Sequence, residues 1–140
     1  MEAAHWEHFH HLADIGVRGL GPTPESAFEQ AAVALVAVIT RPEGVKESQE
    51  VKIECSAPDL ELLLVDWLNA LIYQMGTRRM LFRRFQVRLQ AETLQASAWG
   101  EDIDRTRHTP AVEIKGATYT ELQVAQQPDG EWIAQCVVDV

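Results

Sequence analysis

The stretch TPESAFEQAAVALVAVITRPEGVKESQEVKIECSAPDLELLLVDWLNALIYQMG, residues 23–76, reads as helix, strand and helix in succession. Thr23-Pro24-Glu25 starts the first helix. The Thr23 oxygen can accept from a free first-turn amide, Pro24 has no N–H to leave unpaired, and Glu25 sits at the positive end of the dipole. Phe28, Ala31, Ala32, Leu35 and Ile39 follow at helical spacing, and Pro42 with Gly44 closes the segment. Val51, Ile53 and Cys55 then alternate with Lys52, Glu54 and Ser56, the period of a half-buried strand. Pro58-Asp59 opens a second helix that runs to about Met75, with Gly76 as its expected C-terminal cap. Leu60, Leu63, Leu64, Trp67, Leu68, Leu71 and Ile72 make it apolar enough to be mostly buried.

On either side of this stretch the pattern is strand-like. Trp6 to Val17 reads as strand, broken around Ala13-Asp14, and Gly19, Gly21 and Pro22 mark a turn. Downstream, Phe85, Val87 and Leu89 alternate, as do Leu94, Ala96 and Ala98. Pro128-Asp129-Gly130 is a hairpin turn between Leu122–Gln127 and Glu131–Val140. The expected fold is therefore α+β: one two-layer domain over residues 1–140, strand-helix-strand-helix followed by several antiparallel strands, with two helices packed on sheet.

Composition narrows the class. The chain has 140 residues, 46% hydrophobic and 24% charged, which suits a folded domain with a substantial core. No apolar run approaches the ~20 residues of a membrane span. The N-terminus has no basic region leading into an apolar one, so a secretory signal is not expected and a cytoplasmic location is. Cys55 and Cys136 lack CxxC spacing and are expected to be reduced core residues rather than a disulfide. The net charge of −9 argues against strong direct binding to nucleic acid and suits docking onto a basic partner.

Two apolar stretches each carry one aspartate: His11-Leu12-Ala13-Asp14-Ile15-Gly16-Val17 and Cys136-Val137-Val138-Asp139-Val140. A carboxylate flanked by core-type residues is costly to bury unless it is neutralised. If the two ends meet, Asp14, Asp139 and the α-carboxylate of Val140 converge. At ~4 Å in an effective dielectric of ~20, each like-charge pair costs roughly 4 kcal/mol. Protonation or a bound cation relieves that cost, and the cation is the expectation adopted. Oxygen-only ligands favour a hard ion, calcium or magnesium, with positions left for water or a partner's phosphate or carboxylate. Period two puts Asp139 on the strand face of Gln135, near the sheet end, which suits a rim site. Asp14 alone has a plainer role open to it, bonding backbone amides at a break between strand halves.

His5, His8, His10 and His11 raise the question of a zinc site, but only His8 and His10 share a strand face, so an exposed polar edge is the simpler reading. Gly100-Glu101-Asp102-Ile103-Asp104-Arg105-Thr106-Arg107-His108 reads as a solvated loop. Lys115, between Ile114 and Gly116, is either a snorkelling surface lysine or a placed cation that touches a phosphate or an acidic group. There is no phosphate loop, no GxSxG elbow and no HExxH, and no set of residues forms a complete catalytic constellation.

Five stretches together resemble the archease family: HLADIGV (11–17), PESAFEQAAVALVAVI (24–39), DLELLLVDWLNALIY (59–73), GEDIDRTRH (100–108) with IKGATYTELQV (114–124), and EWIAQCVVDV (131–140). The resemblance implies a small α+β accessory protein of the RtcB-type RNA ligase. That ligase joins tRNA halves in tRNA splicing and repairs RNA ends that bear a 2′,3′-cyclic phosphate or 3′-phosphate. It uses GTP and a divalent metal and passes through a guanylylated histidine. The archease-like role is to speed guanylylation, allow multiple turnover and widen nucleotide use, without being an enzyme itself. Carried over by position, the family's metal site falls on Asp14, Asp139 and Val140, and its activity-linked lysine on Lys115; Ca2+ is the expected ion, with Mg2+ or Mn2+ as alternatives. The chain departs from the family pattern at Leu12, where a Thr is usual, and at Gly116 and Thr120, where Ala and His are usual. A stand-alone metal-dependent phosphoester hydrolase is the alternative, and a binding module without metal a third reading.

Overall fold

A computed structural model describes residues 3–140, in the order β1 (His5–His11), β2 (Asp14–Gly21), α1 (Pro24–Ile39), a 3-10 turn (Pro42–Gly44), β3 (Gln49–Ser56), α2 (Leu60–Arg78), β4 (Met80–Gln90), β5 (Thr93–Asp102), α3 (Arg105–His108), β6 (Gly116–Ala117), β7 (Gln123–Gln126) and β8 (Trp132–Asp139). The fold is α+β, as its sequence pattern requires. The strands divide between two antiparallel sheets. One runs β1-β2-β8-β6, with β7 also on β8; the other runs β3-β5-β4.

Helix α1 begins as its sequence dictates. The Thr23 hydroxyl accepts from the Ser26 N–H at 3.1 Å, and Ser26 Oγ accepts in return from the Thr23 N–H at 3.1 Å, a reciprocal cap. Thr23→Ala is expected to cost about 1 kcal/mol, read as a lowered Tm. The buried stripe of α1 includes Phe28, Ala31, Ala32 and Leu35. It packs on the inner face of the larger sheet and also against β4. Trp67 of α2 is fully buried and donates its indole N–H to the Phe28 carbonyl at 3.1 Å, which ties the two helices together.

Two expectations about glycines are corrected. Gly19 lies inside β2, not in a turn: a Cβ there would stand 2.0 Å from the Ala27 oxygen and 2.2 Å from the Ala31 nitrogen, so its bare backbone is what lets α1 sit on the sheet. Helix α2 passes through Gly76 to Arg78, and its C-cap Arg79 takes the left-handed conformation itself (φ 53°). Thr77 and Arg78 hold the extra turn by bonding back to the Tyr73 carbonyl and the Gln74 side chain. The hairpin across Pro128-Asp129-Gly130 forms as expected, with Gly130 at φ 94° and β7 paired to β8. Among the described residues no helix is long and apolar enough to cross a membrane.

Candidate functional site

Strand β2 starts at Asp14 and β8 ends at Asp139, and the two run antiparallel with Ile15 opposite Val138. Asp14 and Asp139 are the residues next beyond the last pair of this register, one on each strand. The Val140 N–H donates to Asp14 Oδ1 at 3.3 Å. On the other side of β8, Gly116 pairs with Asp139, and the Lys115 N–H donates to the Asp139 carbonyl at 2.8 Å. Asp14, Asp139, Val140 and Lys115 therefore lie at the adjoining ends of three neighbouring strands, Asp14 and Asp139 as terminal strand residues and Val140 and Lys115 just outside β8 and β6.

Local sequence explains each placement. A two-residue turn, Leu12-Ala13, returns β1 onto β2 and sets His11 opposite Asp14. The short β6 is held by α2, where Asn69 Oδ1 accepts from the Ala117 N–H at 2.9 Å. Asn69 was not singled out from the sequence; the signal available was one amide inside the apolar run Leu68 to Leu71.

Electrostatically the rim is acidic and unneutralised. Among the described residues, no Lys, Arg or His nitrogen lies within 4 Å of either carboxylate. Arg18 projects from the same face as Asp14 but is engaged elsewhere, through Glu7 at 2.9 Å, Gln135 at 2.8 Å and the Phe9 ring at 4.7 Å. Asp14 and Val140 are half-buried, while Asp139 and Lys115 are exposed. The donors on offer are oxygens, so the arrangement suits a hard cation with part of its shell left to water or a partner.

The histidines do not gather. His8 Nε2 donates to the Ala34 carbonyl of α1 at 2.8 Å, and its ring lies 4.9 Å from that of Trp6. Among the described residues no three His, Cys, Asp or Glu side chains are placed to hold a metal together, so a zinc centre there is set aside. Both cysteines are free thiols. Burial pushes Cys55 up to about 11 and Cys136 up to about 12, which leaves them unreactive.

The segment 100–108 is not a solvated loop. Glu101 is 9% exposed and His108 4%. The Glu101 carboxylate accepts from the Lys46 N–H at 2.6 Å, from Arg107 Nη2 and from His108 Nε2 at 3.0 Å. The Asp104 N–H donates to His108 Nδ1 at 2.9 Å, so the ring proton sits on Nε2, facing Glu101. Burial alone would raise the Glu101 carboxyl; the bonds from Arg107, Lys46 and His108 outweigh it and hold it at about 2.

A family model described as the archease protein family (MTH1598/TM1083) matches residues 6–140. The chain belongs to the archease family. Protein archease of Pyrococcus furiosus is 39% identical over 139 residues, spanning 96% of this chain and 98% of that one. The archease of Sulfurisphaera tokodaii is 38% identical over 139 residues, with the same coverage. Among solved structures, the solution structure of Methanobacterium thermoautotrophicum protein 1598 matches with a TM-score of 0.84 at 29% identity, over 96% of this chain and 98% of that chain. An archease from Thermotoga maritima matches at a TM-score of 0.59 and 17% identity over 94% of each chain, a likeness of fold. The archease fold thus frames the acidic rim described above.

Proposed function

We propose that this archease is a non-catalytic accessory factor of an RtcB-type RNA ligase in the cytoplasm, acting in tRNA splicing and RNA repair through a divalent cation held at the rim. Asp14, Asp139 and the main-chain oxygens of Val140 are its ligands, and Ca2+ is the ion, with Mg2+ or Mn2+ able to substitute. The observation that carries the reading is the meeting of the start of β2 with the end of β8, Val140 N–H on Asp14 Oδ1, with no basic side chain among the described residues to neutralise either carboxylate. The Thermotoga maritima relative is described as a possible chaperone, a helper role of the same broad kind.

The cation would supply a positive centre able to take a phosphate oxygen or carboxylate from the partner. The chain's own residues set the rest. Asp14 bonds the Val140 amide and so fixes the end of β8; Asn69 anchors β6 and with it Lys115. The exposure of Lys115 at the end of β6 next to Asp139 supports its role as the cation that meets the anionic nucleotide at the ligase centre, and the overall charge of −9 favours approach to an RNA-binding surface.

In a guanylylation assay with limiting ligase, Asp14→Ala and Lys115→Ala should each lose most of the stimulation that the wild type gives. Stimulation equal to wild type by either variant would overturn its assigned role. A ligand-linkage measurement checks the ion separately. Ca2+ at a hundredfold excess over Kd should stabilise the protein by about 2.7 kcal/mol. Asp139→Asn should flatten that response, and a flat response in the wild type would remove the metal.

A further inference from the structure

At the apex of the β1–β2 turn, Leu12 breaks two local rules at once. Its φ is 56°, the left-handed region that a branched aliphatic side chain adopts only at a cost and that Asn or Gly fills readily. Its side chain is 93% exposed, the most exposed large hydrophobic residue among those described. The strained backbone costs the free protein stability, and the leucine, as wet as in the unfolded chain, returns none of it by burial. Leu12 also stands two residues from Asp14, at the same rim as Asp139 and Lys115. Local rules broken without internal compensation point to a use outside the chain.

We infer that Leu12 is the apolar anchor by which the acidic rim seats itself in its partner. The complementary surface is a cleft whose basic walls suit the net charge of −9 and whose apolar floor takes the leucine, with the rim cation facing the anionic group held inside it. The occupant is thus a protein with a cationic active-site cleft, and this inference rests on the proposal that the partner is the RNA ligase. Steering by charge accounts for approach and orientation. Burying one leucine side chain accounts for retention, and its loss should weaken the complex roughly tenfold to a hundredfold. The left-handed turn gives the leucine its reach, because it turns the chain back within two residues and leaves the side chain clear of both strands.

The test uses the full-length protein and purified ligase in a Ca2+ buffer. It reads Kd by fluorescence anisotropy and the half-saturating concentration in the guanylylation assay. Leu12→Asn fits the left-handed turn and removes the apolar group. It should keep or raise Tm, yet shift both Kd and half-saturation upward by at least tenfold. Leu12→Met keeps an apolar side chain and should restore both to within about threefold of wild type. Unchanged binding by Leu12→Asn, with the wild type active, would overturn the anchor and leave the proposed function standing. So would a marked fall in Tm, which would make Leu12 a structural residue. No binding or stimulation by the wild type itself would overturn both readings together.

Discussion

Glu101→Ala is expected to lower the unfolding free energy by about 3–5 kcal/mol, a large part of the roughly 5–15 kcal/mol that holds a domain together. The carboxylate gathers three donors from separate places: the Lys46 main chain, Arg107 and His108. These tie α3 to the segment after α1, where Arg107 Nη1 also donates to the Gly44 carbonyl at 2.7 Å and Thr40 Oγ1 to the His108 carbonyl at 2.7 Å. Truncation to alanine leaves the buried His108 Nε2–H without an acceptor and frees the part-buried Lys46 N–H, so the loss includes desolvation of the imidazole. Urea denaturation at pH 7 measures it; a midpoint within error of wild type would show the cluster to be idle.

The same carboxylate sets an acid limb. Its folded pKa of about 2 lies below the ordinary 4.5, so the charged form is favoured by folding. Its contribution is present in full above the unfolded value and is lost as pH falls from about 5 towards 2. Glu101→Gln removes the titrating group while keeping the shape. The stability gap between wild type and this variant should be widest near neutral pH and should close through that window. A gap that stays constant from pH 6 to pH 2.5 would contradict the assignment.

Why Glu101 escapes the sequence and Asp14 does not has a physical answer. Asp14 and Asp139 stand inside apolar runs, where a charge is conspicuous and its cost can be argued from neighbours along the chain. Glu101 sits among Asp102, Asp104, Arg105 and Arg107, a composition that reads as solvated surface. Its partners include the main chain of Lys46, far away in sequence, and Arg107 is itself held there by the Gly44 carbonyl, which no local pattern announces. The same division holds for the fold. The Thr23 cap, the β3 alternation and the Pro128–Gly130 turn are local chemistry and were readable. The partition of the eight strands among the described residues into two sheets depends on which strands meet across long stretches of chain, and periodicity does not carry that information. Asn69 is a further case: a lone amide in an apolar helix face has a reason only once β6 lies beside it.

Gly19 shows how the scaffold governs the rim, and Gly19→Ala is the second large effect expected. The added methyl would stand 2.0 Å from the Ala27 oxygen, 2.2 Å from the Ala31 nitrogen and 2.9 Å from the Gln30 carbonyl carbon. All three are backbone atoms of α1, so no rotamer change makes room; either the helix lifts from the sheet or β2 shifts. Overpacking normally costs about 1–3 kcal/mol, and a clash against main chain on a fully packed interface belongs at about 4 kcal/mol or beyond. Because β2 carries Asp14 at its start and Gly19 near its other end, a displaced strand also moves Asp14 away from the Val140 amide. The variant should therefore lower the urea midpoint and lose the Ca2+-dependent stabilisation proposed for the rim. Gly76→Ala makes the contrast, since nothing lies within 4 Å of a Cβ there and the site is helical and exposed. It should gain about 0.5–1 kcal/mol and leave the Ca2+ response intact. Equal behaviour of the two alanines would mean that α1 does not press on β2 at Gly19, and the packing that sets the acidic rim would have to be sought elsewhere.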